Sequence, residues 1–496
     1  MAHDRSAAGR KAASSAALTL VTSTRAWARR ELGYRPFLIL LGSGIFVRLA
    51  VMVMYWPAWL QSVDSPRFAR IDPQAIFGDY WMPAAYAVFA KSLRDLIPAL
   101  GVTIVIQHLI GLAIGVALYL AVRRLGAVKW VACVPAGVAF LSGDHVWLEH
   151  QIMADPFMTA LVAFGLACVV RGLVPELDRR WLGAGSALLM AAALTRSVAL
   201  PLVPVLGLIT AIWVGGGARM RAGAVLVAVL PALAVFGLYV GAFELEHGQY
   251  LGLGDMGGWN LYSRVAPFAD CSDFTPPAGT SQLCEHTPPA QRVGSLGYEW
   301  DSGSFGRRQL PLGAQTSATM ERFAVQVILH QPGSYVNTVL TDLARFVDPS
   351  VGPQRAYSGQ PRELLSFGLR DPATLKLVQA ELSKGYTGLK LHVVGRQILT
   401  SYQNLFRVGG LVLALLVALT FIGMFLARGP ARLGVFLFGS AGLVLYAVPV
   451  LTLSYDFRYG IPPETFVVVS GTLGGAALIA RATGARLLTS APDPAG

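Results

Sequence analysis

Charge is scarce in this chain. Only 14% of its 496 residues are Asp, Glu, Lys or Arg, where soluble domains run near a quarter. That shortage excludes an ordinary soluble fold with a charged surface, and hydrophobic residues fill the gap at 54%. Acidic residues are the rarer sign, 28 against 40 Lys and Arg, for a net charge of +12. The basic excess forms no patch interleaved with aromatics, so no nucleic acid partner is expected. It is spread over short stretches between apolar runs, as cytoplasmic anchoring charge is. The chain also lacks an internal repeat or pseudo-symmetric halves, which weighs against a transporter. No cleavable leader is evident: residues 1–35 are polar and Arg/Lys-rich, and the apolar run from Pro36 leads to Met54, Tyr55, Trp56 and Pro57 rather than to a small-residue cleavage site. An uncleaved first span is expected.

Cysteine is nearly absent, at four residues. Cys133 and Cys168 lie in apolar runs as small packing residues. Cys271 and Cys284 lie thirteen apart in a long polar segment, with Pro276, Pro277 and Gly279 between them. They can close a short loop as a disulfide if that segment faces an oxidising compartment. Two thiols with only His286 nearby fall short of a closed zinc shell.

What the chain does have is long apolar runs. They fall at roughly 36–56, 98–122, 127–142, 155–174, 181–195, 197–216, 222–243, 406–427, 431–453 and 460–480, and a membrane-spanning helix needs about twenty such residues. The expectation is an all-α polytopic membrane protein with about ten transmembrane helices. The fifth and sixth runs are short and are parted only by Thr195, Arg196 and Ser197. Arg29/Arg30, Arg123/Arg124/Lys129, Arg171/Arg179/Arg180, Arg219/Arg221, Arg428/Arg432 and Arg481/Arg486 then share one side, and Asp64, Asp144, Glu149, Glu244 and Glu246 take the other. By the positive-inside rule both termini are cytoplasmic. This gives a tail at 1–35, helices one to seven within 36–244, an extracytoplasmic domain at 245–405, three helices within 406–481 and a tail at 482–496. A cell inner (plasma) membrane suits this plan. The first outward loop, 57–97, is amphipathic, with Trp59, Phe68, Trp81, Tyr86 and Phe89 among polar residues, as in helices lying at the interface. In the outward domain, helical patterning from Met320 to Val347 breaks at Gln331, Pro332 and Gly333.

Asp64, a few residues beyond the first span, is the foremost candidate for chemistry. A carboxylate at that depth can serve as general base on a hydroxyl while a lipid leaving group stays in the bilayer; a helix N-cap before Pro66 is the alternative. A departing lipid phosphate needs cations, and Arg196 and Arg458 both fall on outward turns. Interfacial anchoring, a turn position, or a local pair of Arg458 with Asp456 compete with that role. Lys91 and Arg94 in the first loop suit a phosphate or lipid headgroups equally. Asp144, His145, Glu149, His150 and Asp155 cluster in the second outward loop. They are either a solvated polar loop or contacts to a sugar or acceptor through Glu149, His150 or Asp155, and a divalent metal stays open there. Arg48 and His108 are ionisable groups inside spans. Trp147, Trp259, Tyr262, Trp300 and Tyr335 could stack on sugar rings or belong to interfacial belts.

An outward loop that opens with an acidic residue followed by an aromatic, Asp64 to Phe68, resembles the GT-C glycosyltransferase superfamily, in its branch of protein O-mannosyltransferases and aminoarabinose transferases. Similar to that pattern, and in order, are Gly78-Asp79-Tyr80-Trp81 with Pro83 and Tyr86, Gln107, Tyr119 with Arg123-Arg124, Met153-Ala154-Asp155-Pro156, Leu194-Thr195-Arg196, and Asp456-Phe457-Arg458-Tyr459 with Pro462-Pro463. The resemblance spans most of the membrane part. It implies Asp64 as catalytic base and inverting transfer of sugar from a polyprenyl-phosphate donor to a glycan, lipid or protein acceptor. Arg196, Arg458, Lys91 and Tyr459 are then expected at the donor phosphate. The chain departs from the pattern at Ser65, where a second acidic residue is usual, and this weakens a paired-carboxylate or metal role. A lipid or polysaccharide transporter (flippase) and a non-catalytic membrane scaffold are the alternatives from other classes.

Overall fold

In the computed structural model of the chain, residues 30–60, 64–69, 76–77, 81–247, 252–254, 256–348, 367 and 372–489 are described. Residues 1–29 and 490–496 of the tails, and Gly78, Asp79 and Tyr80 of the first loop, lie outside them. Strand among the described residues is confined to Tyr55–Trp56, paired antiparallel with His392–Val393. All other regular structure is helical.

Among the described residues, seven helices are long and apolar enough to cross a membrane: Arg35–Met54, Leu100–Arg124, Ala154–Leu173, Ala218–Glu246, Arg396–Leu426, Gly429–Thr452 and Phe457–Thr483. They leave Phe46, Val53, Leu238 and Phe425 exposed, a surface suited to lipid rather than water. The chain is a multi-pass membrane protein. Lys129–Leu141 and Gly143–Glu149 form a further pair, bent by 48°. Arg179–Ala193 has 15 residues and Leu202–Trp213 has 12, so the two short runs of the sequence form short helices. Small residues let helices touch: a Cβ on Gly185 would lie 2.7 Å from the Gly165 carbonyl oxygen, and one on Gly474 would lie 1.9 Å from that of Leu419.

The bent pair shows how a helix can break inside the bundle. Stopping at Leu141 frees the last carbonyls of the first half, which need partners where water is absent. Arg48, 2% exposed, supplies them, donating from Nη1 to Phe140 O (2.7 Å) and from Nη2 to Ala139 O (3.3 Å). The Tyr402 hydroxyl bonds Leu141 O at 2.5 Å, and the Gly143 N–H bonds Phe406 O at 2.7 Å.

The two ends of the bundle differ in chemistry. At one end Arg123 pairs with Glu31 (2.7 Å), Arg124 donates to Val174 O (2.7 Å), and Val128 N–H bonds Leu487 O (3.0 Å). At the other, Trp59 N–H bonds His150 O (2.7 Å), Ala85 N–H bonds Leu194 O (3.0 Å), and the Tyr239 hydroxyl accepts from Ala84 N–H (3.2 Å). Arg179–Ala193 starts beside Gly172, where Asp178 N–H bonds its carbonyl at 2.8 Å, and it ends at Leu194. This short helix therefore runs from the first end to the second.

The long segment 245–405, expected to face outward, divides its packing. Met256, Trp259, Tyr262, Phe323 and Val327 share a core of their own, beside which Cys271 and Cys284 form a disulfide. The helical patterning breaks where expected, one helix ending at His330 and the next starting at Pro332. The later stretch joins the first loop instead: Val378, Leu382 and Tyr386 pack with Leu60, Phe68, Tyr86 and Ala90. Among its described residues the first loop holds the helices Ser65–Ala69 and Ala85–Leu96; the latter buries Tyr86, Ala87 and Ala90 and exposes Val88 and Leu96.

Candidate functional site

A cavity of about 330 Å³ opens between the first loop, the turns at Arg196 and Arg458, and the outward segment. Asp64 precedes the Ser65–Ala69 helix, its backbone carbonyl accepting from Phe68 N–H at 2.9 Å, and its side chain lines the cavity. The turn Phe457–Gly460 carries Arg458 and is capped by Asp456, whose carboxylate accepts the Arg458 backbone N–H at 2.8 Å. The capping carboxylate thus holds the backbone, and the Arg458 guanidinium reaches to Asp64, Nη1 to Oδ2 at 3.1 Å. Arg458 Nε is buried with no hydrogen-bond partner among the described residues.

A second ion pair lines the same cavity. Asp155 sits in the first turn of Ala154–Leu173, where the helix dipole favours a carboxylate, and Arg196 Nη1 donates to its Oδ2 at 2.9 Å. Tyr459 lies beside both cations, its ring centroid 5.5 Å from the Arg458 guanidinium carbon and 5.7 Å from that of Arg196. At these distances the ring face attracts both guanidinium groups. Asp64, Asp155, Arg196, Arg458 and Tyr459 therefore share one cavity. Met158, Leu445, Val448 and Leu453 give it an apolar side drawn from the membrane helices. A cavity with cations and carboxylates at one side and apolar side chains at another can take a molecule that is polar at one end and oily at the other.

The outward segment adds a residue for which the sequence offers no motif. Glu299, on the short helix Ser295–Trp300, lines the cavity at 1% exposure, and its Oε2 has no hydrogen-bond partner among the described residues. Burial pushes its carboxyl up to about 8; the Arg67 guanidinium opposes that rise and Asp64 adds to it. The nearest signal in the sequence is its aromatic neighbour Trp300, which lines the cavity with Trp81.

Other candidates lie elsewhere. Lys91 pairs with Asp95 one turn along an exposed helix face and is not a lining residue. Gly143–Glu149, expected either as a solvated polar loop or as a source of sugar or acceptor contacts, is a buried helix whose charged groups have partners inside the protein. Asp144 meets Arg407 at 2.6 Å, and Glu149 takes a bidentate contact from Arg48 at 2.7 and 2.9 Å. His108 joins Glu149 at 2.9 Å and His150 at 3.0 Å, and His150 also bonds the Tyr55 carbonyl at 2.6 Å. Glu149 and His150 thus face one another's partners and not the cavity; of the second-loop group, Asp155 alone lines it. Among the described residues no group of three or more His, Cys, Asp or Glu is arranged to hold a metal ion. Trp259 and Tyr262 lie in the outward core and Trp147 packs on Trp59 at 5.3 Å. The chain matches no family model, no curated protein and no solved structure, so the functional reading rests on the geometry of the site.

Proposed function

We propose that the chain is a GT-C-like membrane glycosyltransferase that moves a sugar from a polyprenyl-phosphate donor to an acceptor hydroxyl with inversion. The observation that carries this reading is one cavity in which two carboxylate–guanidinium pairs, Asp64 with Arg458 and Asp155 with Arg196, lie beside an apolar wall of membrane-helix side chains. Asp64 takes the proton of the acceptor hydroxyl as its oxygen attacks the anomeric carbon. The bond from that carbon to the lipid phosphate breaks, and the phosphate leaves with both electrons. Arg196 and Arg458 receive its charge, with the Nε of Arg458, which has no partner among the described residues, as an available donor. Tyr459 orients the two guanidinium groups. The prenyl chain lies along the apolar wall.

In the same reading the chain crosses the membrane about ten times, in a cell inner (plasma) membrane with the cavity on the extracytoplasmic face. Support for that count comes from Arg179–Ala193, which runs between the two ends of the bundle although it is short. The disulfide Cys271–Cys284 fits an oxidising compartment for the outward segment. The test is to incubate purified protein with a panel of polyprenyl-phosphate sugars and to detect released lipid phosphate by mass spectrometry. Release by the wild type and its loss in Asp64→Asn support the reading. Movement of a labelled lipid-linked sugar across vesicles with no glycoside formed would replace it with a flippase.

A further inference from the structure

The side of the cavity built by the outward segment carries a carboxyl that no described residue satisfies. Glu299 is almost fully buried, lines the cavity, and leaves Oε2 without a partner. Buried polar atoms in native proteins are nearly always paired, so an unpaired one facing open space marks the place of a ligand's polar group. Beside it, the rings of Trp300 and Trp81 lie 5.0 Å apart and tilted by 31°, both lining the cavity. The Arg67 guanidinium stands over both rings, at 5.4 Å from Trp81 and 5.9 Å from Trp300, and steadies the pair. A flat aromatic surface next to a hydrogen-bonding carboxyl suits a sugar ring, whose C–H face stacks while its hydroxyls need polar partners.

We propose that Glu299 and Trp300 form a sugar-binding subsite: the Glu299 carboxyl bonds a ring hydroxyl and Trp300 stacks on the apolar face of the same ring. The subsite rests on the transferase reading for the lipid that brings the sugar, not for the sugar chemistry itself. The groups around Glu299 are the Arg67 guanidinium, the Asp64 carboxylate and Tyr459, with Arg307 bonding its backbone carbonyl at 3.0 Å. Burial holds the carboxyl neutral at pH 7, where it donates its proton in the hydrogen bond. As pH rises through about 8 it ionises, the donor is lost and a second negative charge faces Asp64. Sugar binding weakens over that window.

Binding rather than turnover tests this. Full-length protein in nanodiscs is titrated with undecaprenyl phosphate and with undecaprenyl-phosphate glucose, mannose and galactose; methyl glycosides of the same hexoses are then added to protein holding undecaprenyl phosphate. A preference for a sugar-bearing lipid assigns the hydroxyl to the donor, and binding of a methyl glycoside assigns it to the acceptor. Glu299→Ala is expected to lose about tenfold in that sugar affinity and to bind undecaprenyl phosphate as the wild type does. Glu299→Gln keeps an N–H donor, so it retains most of the affinity and loses the decline above pH 8. No sugar binding by the wild type in either arm, or unchanged sugar affinity in Glu299→Ala, overturns the proposal. Failure to bind the bare lipid phosphate sinks the transferase reading separately, since that arm reads the arginines, while the methyl glycosides still test Glu299.

Discussion

Two clusters of charge in this protein have the same ingredients and opposite surroundings. In the first, Arg48, Glu149, His108 and His150 are all buried, and their polar atoms meet one another or backbone carbonyls, those of a broken helix among them. In the second, Asp64, Arg458, Asp155 and Arg196 pair across a cavity, with Arg458 Nε and Glu299 Oε2 left unpartnered among the described residues. In the closed cluster the groups are buried and bonded to partners within the protein, so its charges fix a bend in the bundle. The open cluster has space beside every ion pair, so a substrate can exchange with one partner while the other stays. Charge inside a membrane protein thus serves structure or chemistry according to the emptiness next to it, and not by its depth.

The largest expected effect breaks the closed cluster. Glu149→Ala leaves Arg48 charged, buried and half-unsatisfied, which costs about 3–5 kcal/mol. The unfolding midpoint in detergent and the yield of monodisperse protein should both drop sharply. A midpoint near that of wild type would show the bend holding without its ion pair. Asp64→Asn is the counterpart in the open cluster. Its pair with Arg458 is partly exposed, the side chains at 31% and 17%, so stability should change by about 1 kcal/mol or less. Turnover of a polyprenyl-phosphate sugar should fall by about 10²–10⁴-fold. An Asp64→Asn protein that melts early and turns over normally would reverse the assignment of the two clusters.

Smaller still is Arg458→Lys. The point charge remains, but the planar fork that serves Asp64 and a phosphate at once is lost. A fall in lipid-phosphate affinity of about tenfold is expected, measured by competition with undecaprenyl phosphate, at an unchanged unfolding midpoint. Equal affinity would place the phosphate away from Arg458.

The open cluster was legible because its members sit at span ends. Asp64, Arg196 and Arg458 each flank an apolar run, and the parity of crossings set by the basic loops puts all three on one side. The sequence leaves the second-loop group open between a solvated loop and ligand contacts, because Glu149 looks the same whether its partner is water or Arg48, about a hundred residues away. Local pattern carries no record of a distant partner. Glu299 was missed for a related reason: it lies in a Gly- and Ser-rich stretch with no apolar period, and only packing decides that a carboxyl there is buried.

The smallest expected effect concerns Lys91, a cation that belongs to neither cluster. Its sequence position in the first outward loop suits a phosphate contact, yet its ammonium pairs with Asp95 on an exposed helix face, with side-chain exposures of 37% and 53%. An exposed pair one helical turn apart contributes about 0.3–0.5 kcal/mol, so Lys91→Ala should leave the unfolding midpoint almost unmoved. If cations act on the lipid phosphate only where they line the cavity, lipid-phosphate affinity should also change by less than about twofold, against the tenfold of Arg458→Lys. A comparable loss in both variants would mean that the phosphate reaches Lys91, and that the field of the whole outward loop, rather than the two cavity arginines, holds the leaving group.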